Sequence, residues 1–371
     1  MSQLFGRISK LSSSPLKRRL CFSRSDFSTT PTPYLFLGRD VVGKSSCGGS
    51  VVNYNLYDPR KEEQMQFENQ VLSKDLRKSS AIGSSRGWLA MLNKHDSTVR
   101  LTNIFNNNPS KTITLPPLIK DEAESLFNVS VSSSSHDDFV VAARFDGSRL
   151  SLCRLGDSEW TRIDVPCPAF RLSPVMYSDR HRKFFVNSVS SDYTGPTDFT
   201  SKSGLVSPVS GYVRFPLSNS PISENALDIQ RLNVHQLLVQ SPSSESFIVL
   251  WGLDRFTGKG EAVEWKDEIY NQNQDDLVVM TRKIRVYRQD AEKGIGPYTE
   301  DIGDLCIFVG ENEPFCLSAS DYPGLKPNSV YFAGRRSGFG VCDLASRTIR
   351  YLSDSPLRHR LLWLPPTTPH Y

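Results

Sequence analysis

Residues Gly38-Arg39-Asp40-Val41-Val42-Gly43-Lys44-Ser45 meet the G-x-x-x-x-G-K-S pattern of a phosphate-binding loop. That chemistry needs backbone N–H groups and a helix N-terminus converging on the phosphates, with the lysine reaching across them. The apolar run Tyr34 to Leu37 supplies a candidate strand in front. The next residues, Ser46-Cys47-Gly48-Gly49-Ser50-Val51-Val52, resist helix and read as a turn into a strand. No apolar strand ending in Asp comes after them at the distance a magnesium-binding partner would need. The segment is therefore expected to be a surface hairpin loop.

A second chemical pattern is Gly83-Ser84-Ser85-Arg86-Gly87, the G-x-S-x-G of a nucleophile elbow, in which Ser85 would attack. Such a serine needs an α/β sheet to present it and Asp and His partners in space. The chain lacks the alternation of helices and strands that would build that sheet. The histidines His95, His136, His181, His235, His359 and His370 are scattered without metal-ligand spacing and are expected to be solvated. Cys21, Cys47, Cys153, Cys167, Cys306, Cys316 and Cys342 are odd in number and contain no C-x-x-C, so they read as small buried hydrophobes. Trp88, Trp160, Trp251, Trp265 and Trp363 lack the interleaved basic residues of a strand-binding groove and are expected in the core. No catalytic, cofactor-binding or metal-ligating residue is assigned, and no cofactor is expected.

Charge is unevenly distributed. The net charge of the 371 residues is +4, yet no acid precedes Asp26, while Arg7, Lys10, Lys17, Arg18, Arg19 and Arg24 do. Without residues 1–26 the balance falls to about −1, which argues against a nucleic-acid partner. Leu4, Phe5, Ile8 and Leu11 fall on one side of a helix flanked by Arg7 and Lys10, until Pro15 stops it. Residues 1–30 thus have the features of a disordered, cleavable transit peptide, expected to be mitochondrial with the chloroplast as alternative, and 31–371 form the mature domain. No apolar run approaches the roughly 20 residues that span a bilayer, so membrane insertion is not expected.

Beyond Tyr34 the pattern is of short β-branched and aromatic runs between turn dipeptides. Phe139 to Phe145, Leu150 to Leu155 and Glu159 to Val165 read as strands joined at Asp146-Gly147 and Gly156-Asp157. A second meander is expected from Ser329 to Tyr351, and a hairpin pairs Gln236 to Gln240 with Ser246 to Trp251. About twenty such strands suit radially repeated four-stranded blades, so the fold class is all-β, a β-propeller of five to six blades, with a multi-sheet sandwich as alternative. Residues 188–226 and 252–276 read as long polar excursions.

Gly83-Ser84-Ser85-Arg86-Gly87-Trp88-Leu89, Ile113-Thr114-Leu115-Pro116-Pro117-Leu118, Cys153 to Trp160, Asp304 to Gly310 and Ser318 to Asn328 together resemble the plant domain-of-unknown-function 295 family, often called F-box or kelch-like proteins. The resemblance implies a β-propeller and no established catalytic residues. Many members carry an F-box that recruits a ubiquitin-ligase adaptor. Between the leader and Tyr34 there is no room for that helical module, so the adaptor is not expected as a partner. The expected function is that of a non-catalytic protein-interaction propeller with an organellar protein partner. The alternative is a nucleotide-binding or hydrolytic enzyme using Gly38 to Ser45 or the segment around Ser85.

Overall fold

The computed structural model describes residues 20–22, 32–46, 48–105, 112–119, 125–132, 139–147, 149–164, 174–187, 206–209, 233–243, 245–257, 259–263, 277–289, 297–334, 336–353 and 360–366. Among them the chain is all-β, with six sheets and only short 3-10 turns besides. Most of the leader, most of 188–226, and Trp265 lie outside the described residues.

Each sheet is ordered from a strand near the molecular axis outwards. The second sheet runs Ser79–Ser85, Trp88–Asn93, Thr98–Thr102, Ile113–Pro117, and the third Leu126–Val131, Val140–Phe145, Arg149–Arg154, Thr161–Asp164. Val175–Ser178, Lys183–Asn187 and Val206–Val209 form the fourth; Asn233–Gln240, Ser246–Phe256, Val278–Arg288 and Tyr298–Thr299 make the fifth, where Ala262–Val263 also pairs with the second strand. The sixth begins Phe315–Ser318, Leu305–Val309, then Ser329–Gly334, Gly338–Asp343 and Thr348–Tyr351.

The first sheet joins the two ends of the chain. Leu362–Leu364 pairs with Tyr34–Lys44, and Ser50–Asp58, Glu63–Leu72 and Leu20–Phe22 come next, outwards. This mixing of early and late strands closes a ring, and the packing is that of a ring. Leu56 and Leu89 share an apolar cluster between the first and second sheets, and Leu101 and Val141 share one between the second and third. Leu150 and Phe184, Leu238 and Met176, and Val249 and Phe332 belong to the apolar clusters at the next three junctions. Phe308 and Tyr331 then meet Leu35 and Trp363, returning from the sixth sheet to the first. Six sheets meeting at six apolar junctions make the expected β-propeller, within the expected five to six blades.

Why these sequences make blades is visible in their burial. Val140–Phe145 and Ser329–Gly334 are buried at every position, because sheets on both sides cover them, and they are apolar apart from Ser329 and Arg144, whose guanidinium donates to the carbonyls of Arg149 and Gly147. The outer strand Thr161–Asp164 is mostly exposed and polar, and in Thr348–Tyr351 the exposed Thr348 and Arg350 alternate with the half-buried Ile349 and Tyr351. The two meanders fall where the sequence places them, with Val140–Phe145, Arg149–Arg154 and Thr161–Asp164 joined through Gly147 and Gly156, both at positive φ. The hairpin of the fifth sheet pairs Gln236 with Leu250 and Gln240 with Ser246.

Two expectations need correction. Gly252–Phe256 is no excursion: it completes the strand Ser246–Phe256, with Leu253 buried, because Leu253 and Phe256 pair onward with Thr281 and Val278. Gly38–Lys44 is likewise strand rather than loop, and beyond it the Ser45 N–H donates to the Gly49 carbonyl and the Gly48 N–H to the Ser45 carbonyl, both at 3.0 Å. Register shifts fall between Phe36 and Gly38 and between Val41 and Gly43, at the two glycines of the phosphate-loop pattern. Gly38, at φ of 129°, takes a backbone conformation that favours glycine at its bulge, whereas a Cβ on Gly43 would meet only the Val51 Cβ at an ordinary 3.8 Å.

Candidate functional site

The phosphate-loop residues have structural partners. Arg39 reaches from its strand to donate to the carbonyls of Leu76 at 2.9 Å and Ser79 at 2.7 Å, tying the first sheet to the second. Asn55 donates to Asp40 at 2.9 Å across the hairpin. A strand presents alternate N–H groups to its neighbours rather than a converging set to a phosphate. Gly38 to Ser45 therefore lacks the loop-to-helix geometry that nucleotide binding requires.

Ser85 is the one tempting residue that the fold places at a constellation. It ends the innermost strand of the second sheet, and Arg86 and Gly87, at φ of 49° and 80°, make the two-residue turn into Trp88–Asn93. Each residue of the G-x-S-x-G pattern has a local duty. A Cβ on Gly83 would stand 2.9 Å from both the backbone nitrogen and the Cβ of Val129, so glycine lets the second and third sheets approach. The Gly83→Ala variant is expected to lose roughly 1–3 kcal/mol through this overpacking. Thermal melting reads it, and a variant that melts with wild type would show that the junction relaxes freely.

From the sixth sheet the connection Gly310 to Pro314 enters the centre and meets this turn. Glu313 is buried, and its carboxylate accepts from Ser85 Oγ, from Ser130 Oγ at 2.9 Å and from the Tyr177 N–H at 2.7 Å. Its own N–H donates to the Ser84 carbonyl at 3.0 Å. Asn312, fully buried, donates to the Glu313 carbonyl at 2.7 Å and accepts from the Trp363 N–H at 3.2 Å. Ser84 Oγ donates to the Trp363 carbonyl at 2.6 Å. Arg360 pairs with Glu311 at 2.6 Å and donates to the carbonyls of Ile82 and Leu126 at 2.5 and 2.7 Å. One short segment thus joins the innermost strands of the first four sheets to the sixth.

Electrostatically this centre is expensive alone and compensated by its partners. Burial pushes the Glu313 carboxyl above its ordinary value, and the Arg86 guanidinium and the three donors work in the opposite direction. Arg86 in turn bonds to Asp179 at 2.8 Å and lies over the Tyr177 ring. The chemistry available to Ser85 is limited. Its proton goes to Glu313, one lone pair accepts from the Val131 N–H at 3.0 Å, and 2% of its surface is exposed. The pair binds strands together rather than presenting a nucleophile.

Beside the centre, His235 stacks on Phe127 with ring centroids 5.8 Å apart at 25° and tilts against Trp251 at 5.8 Å. It is not the solvated loop histidine expected. Burial pulls its pKa down to about 4. Its folded value lies below the unfolded one, near 6.5, so its contribution is present above about pH 6.5 and is lost as pH falls towards 4. His235→Phe keeps a ring there and should flatten the stability profile between pH 6.5 and 4, as read from urea midpoints; a profile as steep as wild type would place the acid sensitivity elsewhere. His95 and His181 are exposed.

Cys153, Cys306, Cys316 and Cys342 are buried free thiols, as their types suggested, with burial raising them to about 11 or 12. Trp251 and Trp363 are in the core, whereas Trp88 and Trp160 are half-buried. Glu313 and Asn312 escaped the sequence reading, since Glu311-Asn312-Glu313-Pro314 between two apolar runs resembles an exposed turn. The only hint was a pair of acids beside Gly310, where a Cβ would meet the Ala333 carbonyl at 2.7 Å.

The ring of sheets, closed by its own C-terminal strand and filled along its axis by its own polar segment, defines the molecule as a β-propeller. The chain belongs to the KIB1-4 beta-propeller family, whose model matches residues 54–352. No curated protein matches the chain.

Proposed function

We propose that this chain is a non-catalytic protein-interaction propeller that works inside an organelle, delivered by residues 1–30. The observation that carries the non-catalytic part is the Glu313 centre, where the group best suited to chemistry, Ser85, is buried and committed to holding strands. Blade strands are consumed by the junctions between sheets, which leaves loops and outer edges for recognition. Kinship to F-box substrate receptors, through the resemblance to the domain-of-unknown-function 295 family, is in keeping with the family match. The mitochondrion is the proposed destination on the strength of the acid-free, arginine-rich leader, with the chloroplast as the alternative.

Residues 1–30 fused to a fluorescent passenger should carry it into mitochondria, and Arg18→Glu with Arg19→Glu should abolish import. A cytosolic passenger with the native leader would sink the organellar part. Affinity purification of the full chain from isolated mitochondria should recover a specific protein partner, and turnover of a nucleotide or ester by the purified protein would overturn the non-catalytic part.

A further inference from the structure

Among the described residues the exposed large apolar side chains are Val41, Val42, Val71 and Ile119. The first three sit together at one end of the first sheet. Gly43, Val51 and Val71 share one rung across its strands and Lys44, Ser50 and Leu72 the next, so the valines stand just inside the hairpin between Tyr34–Lys44 and Ser50–Asp58. Basic residues surround them. Lys44 is exposed at the end of its strand, and Lys74 is close by, since a Cβ on Gly49 would lie 3.6 Å from its backbone nitrogen. Arg39 holds the following residues against the same sheet by donating to the carbonyls of Leu76 and Arg77, and the Lys94 N–H donates to the Lys78 carbonyl at 3.1 Å. Lys44, Lys74, Arg77, Lys78 and Lys94 are all exposed, and none is ion-paired among the described residues.

The acids at this end are held by other groups or outnumbered. The Asp40 carboxylate accepts from Asn55, that of Asp96 accepts from the Thr98 N–H and hydroxyl, and from Lys74 to Lys78 three bases stand against Asp75. Ile119 is no part of this surface, because Asp121, Glu122 and Glu124 follow it in sequence. The other basic turn, Arg180 to Lys183, has no exposed large apolar side chain described beside it.

The chemistry of the surface selects its occupant. Protein interfaces favour tyrosine, tryptophan and arginine, whereas lysine is depleted there and valine under-represented. A groove for single-stranded nucleic acid needs aromatic faces for the bases, and no large aromatic side chain is exposed here. Aliphatic side chains ringed by lysines suit a bilayer surface: the apolar groups enter the headgroup boundary, and the long lysine stems let each ammonium reach a phosphate. We propose that this end of the first two sheets is a peripheral docking surface for an anionic lipid bilayer, with the three valines entering it and the five cations holding its headgroups. No spanning segment is involved, and the surface is independent of the leader.

The basic residues before Asp26 would also attract anionic vesicles, so the test uses the full chain carrying Arg18→Glu and Arg19→Glu. This protein should sediment with phosphatidylcholine vesicles only when phosphatidylserine is included. Binding should weaken as salt rises from about 0.1 to about 1 M, where the Debye length falls from about 10 to about 3 Å. Lys74→Glu with Lys78→Glu should cut it by about tenfold or more, since each basic residue near the surface is worth about fivefold. Val41→Ser with Val42→Ser should cut it by about fivefold through lost apolar burial. No sedimentation with the anionic vesicles, or sedimentation unchanged by both patch variants, would overturn the proposal. Equal capture on polyglutamate beads, abolished by the same variants, would overturn it in favour of an acidic protein partner. Should the Lys74 and Lys78 variant fail to melt cooperatively, Lys44→Glu with Lys94→Glu puts the same question to side chains from other turns. Import of a passenger by residues 1–30 stands or falls separately.

Discussion

Replacing Trp363 by alanine is expected to cost about 3–5 kcal/mol of stability, near the upper end for a single core truncation. Trp363 is fully buried in the strand that closes the ring, with its ring edge-on to Phe308 at 5.2 Å and to Tyr331 at 6.1 Å. Those two rings belong to the sixth sheet, whereas the Trp363 backbone pairs with Leu35 of the first. Truncation therefore opens a cavity at the one junction that the chain cannot hold by local connection. Trp363→Phe should cost less than half as much, because the indole Nε1 is buried without a hydrogen-bond partner among the described residues, so its removal forfeits none of the bonds described. Urea unfolding followed by far-UV circular dichroism measures both. An alanine variant within about 1 kcal/mol of wild type would show that ring closure does not rest on this side chain.

Glu313→Ala should be nearly as damaging, by about 2–4 kcal/mol, since it orphans the buried donors on Ser85, Ser130 and Tyr177 that now end on one carboxylate. Glu313→Gln keeps an acceptor oxygen and removes the buried charge, so it should recover much of the loss. The pH dependence has a definite sign. The folded pKa of Glu313 is raised, so the native state binds more protons than the unfolded one between the ordinary carboxyl value and the raised value. Wild type should therefore gain on Glu313→Gln as pH falls from 7 towards 5, opposite in sense to the loss at His235. Melting temperatures of the three proteins at the two pH values test this; an alanine variant as stable as the glutamine one would mean that water replaces the carboxylate at no cost.

The blades themselves were legible in the amino-acid order, because a strand covered by sheets on both faces needs a continuous apolar run and its turns need residues that accept positive φ. Val140–Phe145, apolar but for Arg144, with Gly147 and Gly156 shows both signals. These are local properties, readable within about ten residues. Local signals also misled. Gly38 to Ser45 carries a phosphate-loop pattern whose glycines turn out to lie at strand bulges, and Gly83 to Gly87 carries an elbow pattern whose residues serve a tight turn and a close sheet junction. A short pattern states which residues are present, while the dihedrals they adopt depend on what pairs beside them.

What the residues alone determined, then, was an all-β chain of repeated meanders and a basic, acid-free first stretch. Only the tertiary structure decided that Leu362–Leu364 closes the first sheet and that Glu313 fills the centre. The physical reason is separation along the chain. Glu313 meets Ser85 across 228 residues and Ser130 across 183, and Ser84 meets Trp363 across 279. A buried carboxylate is tolerable only when donors from several strands arrive together, and nothing within one strand's sequence announces that the other strands will be there.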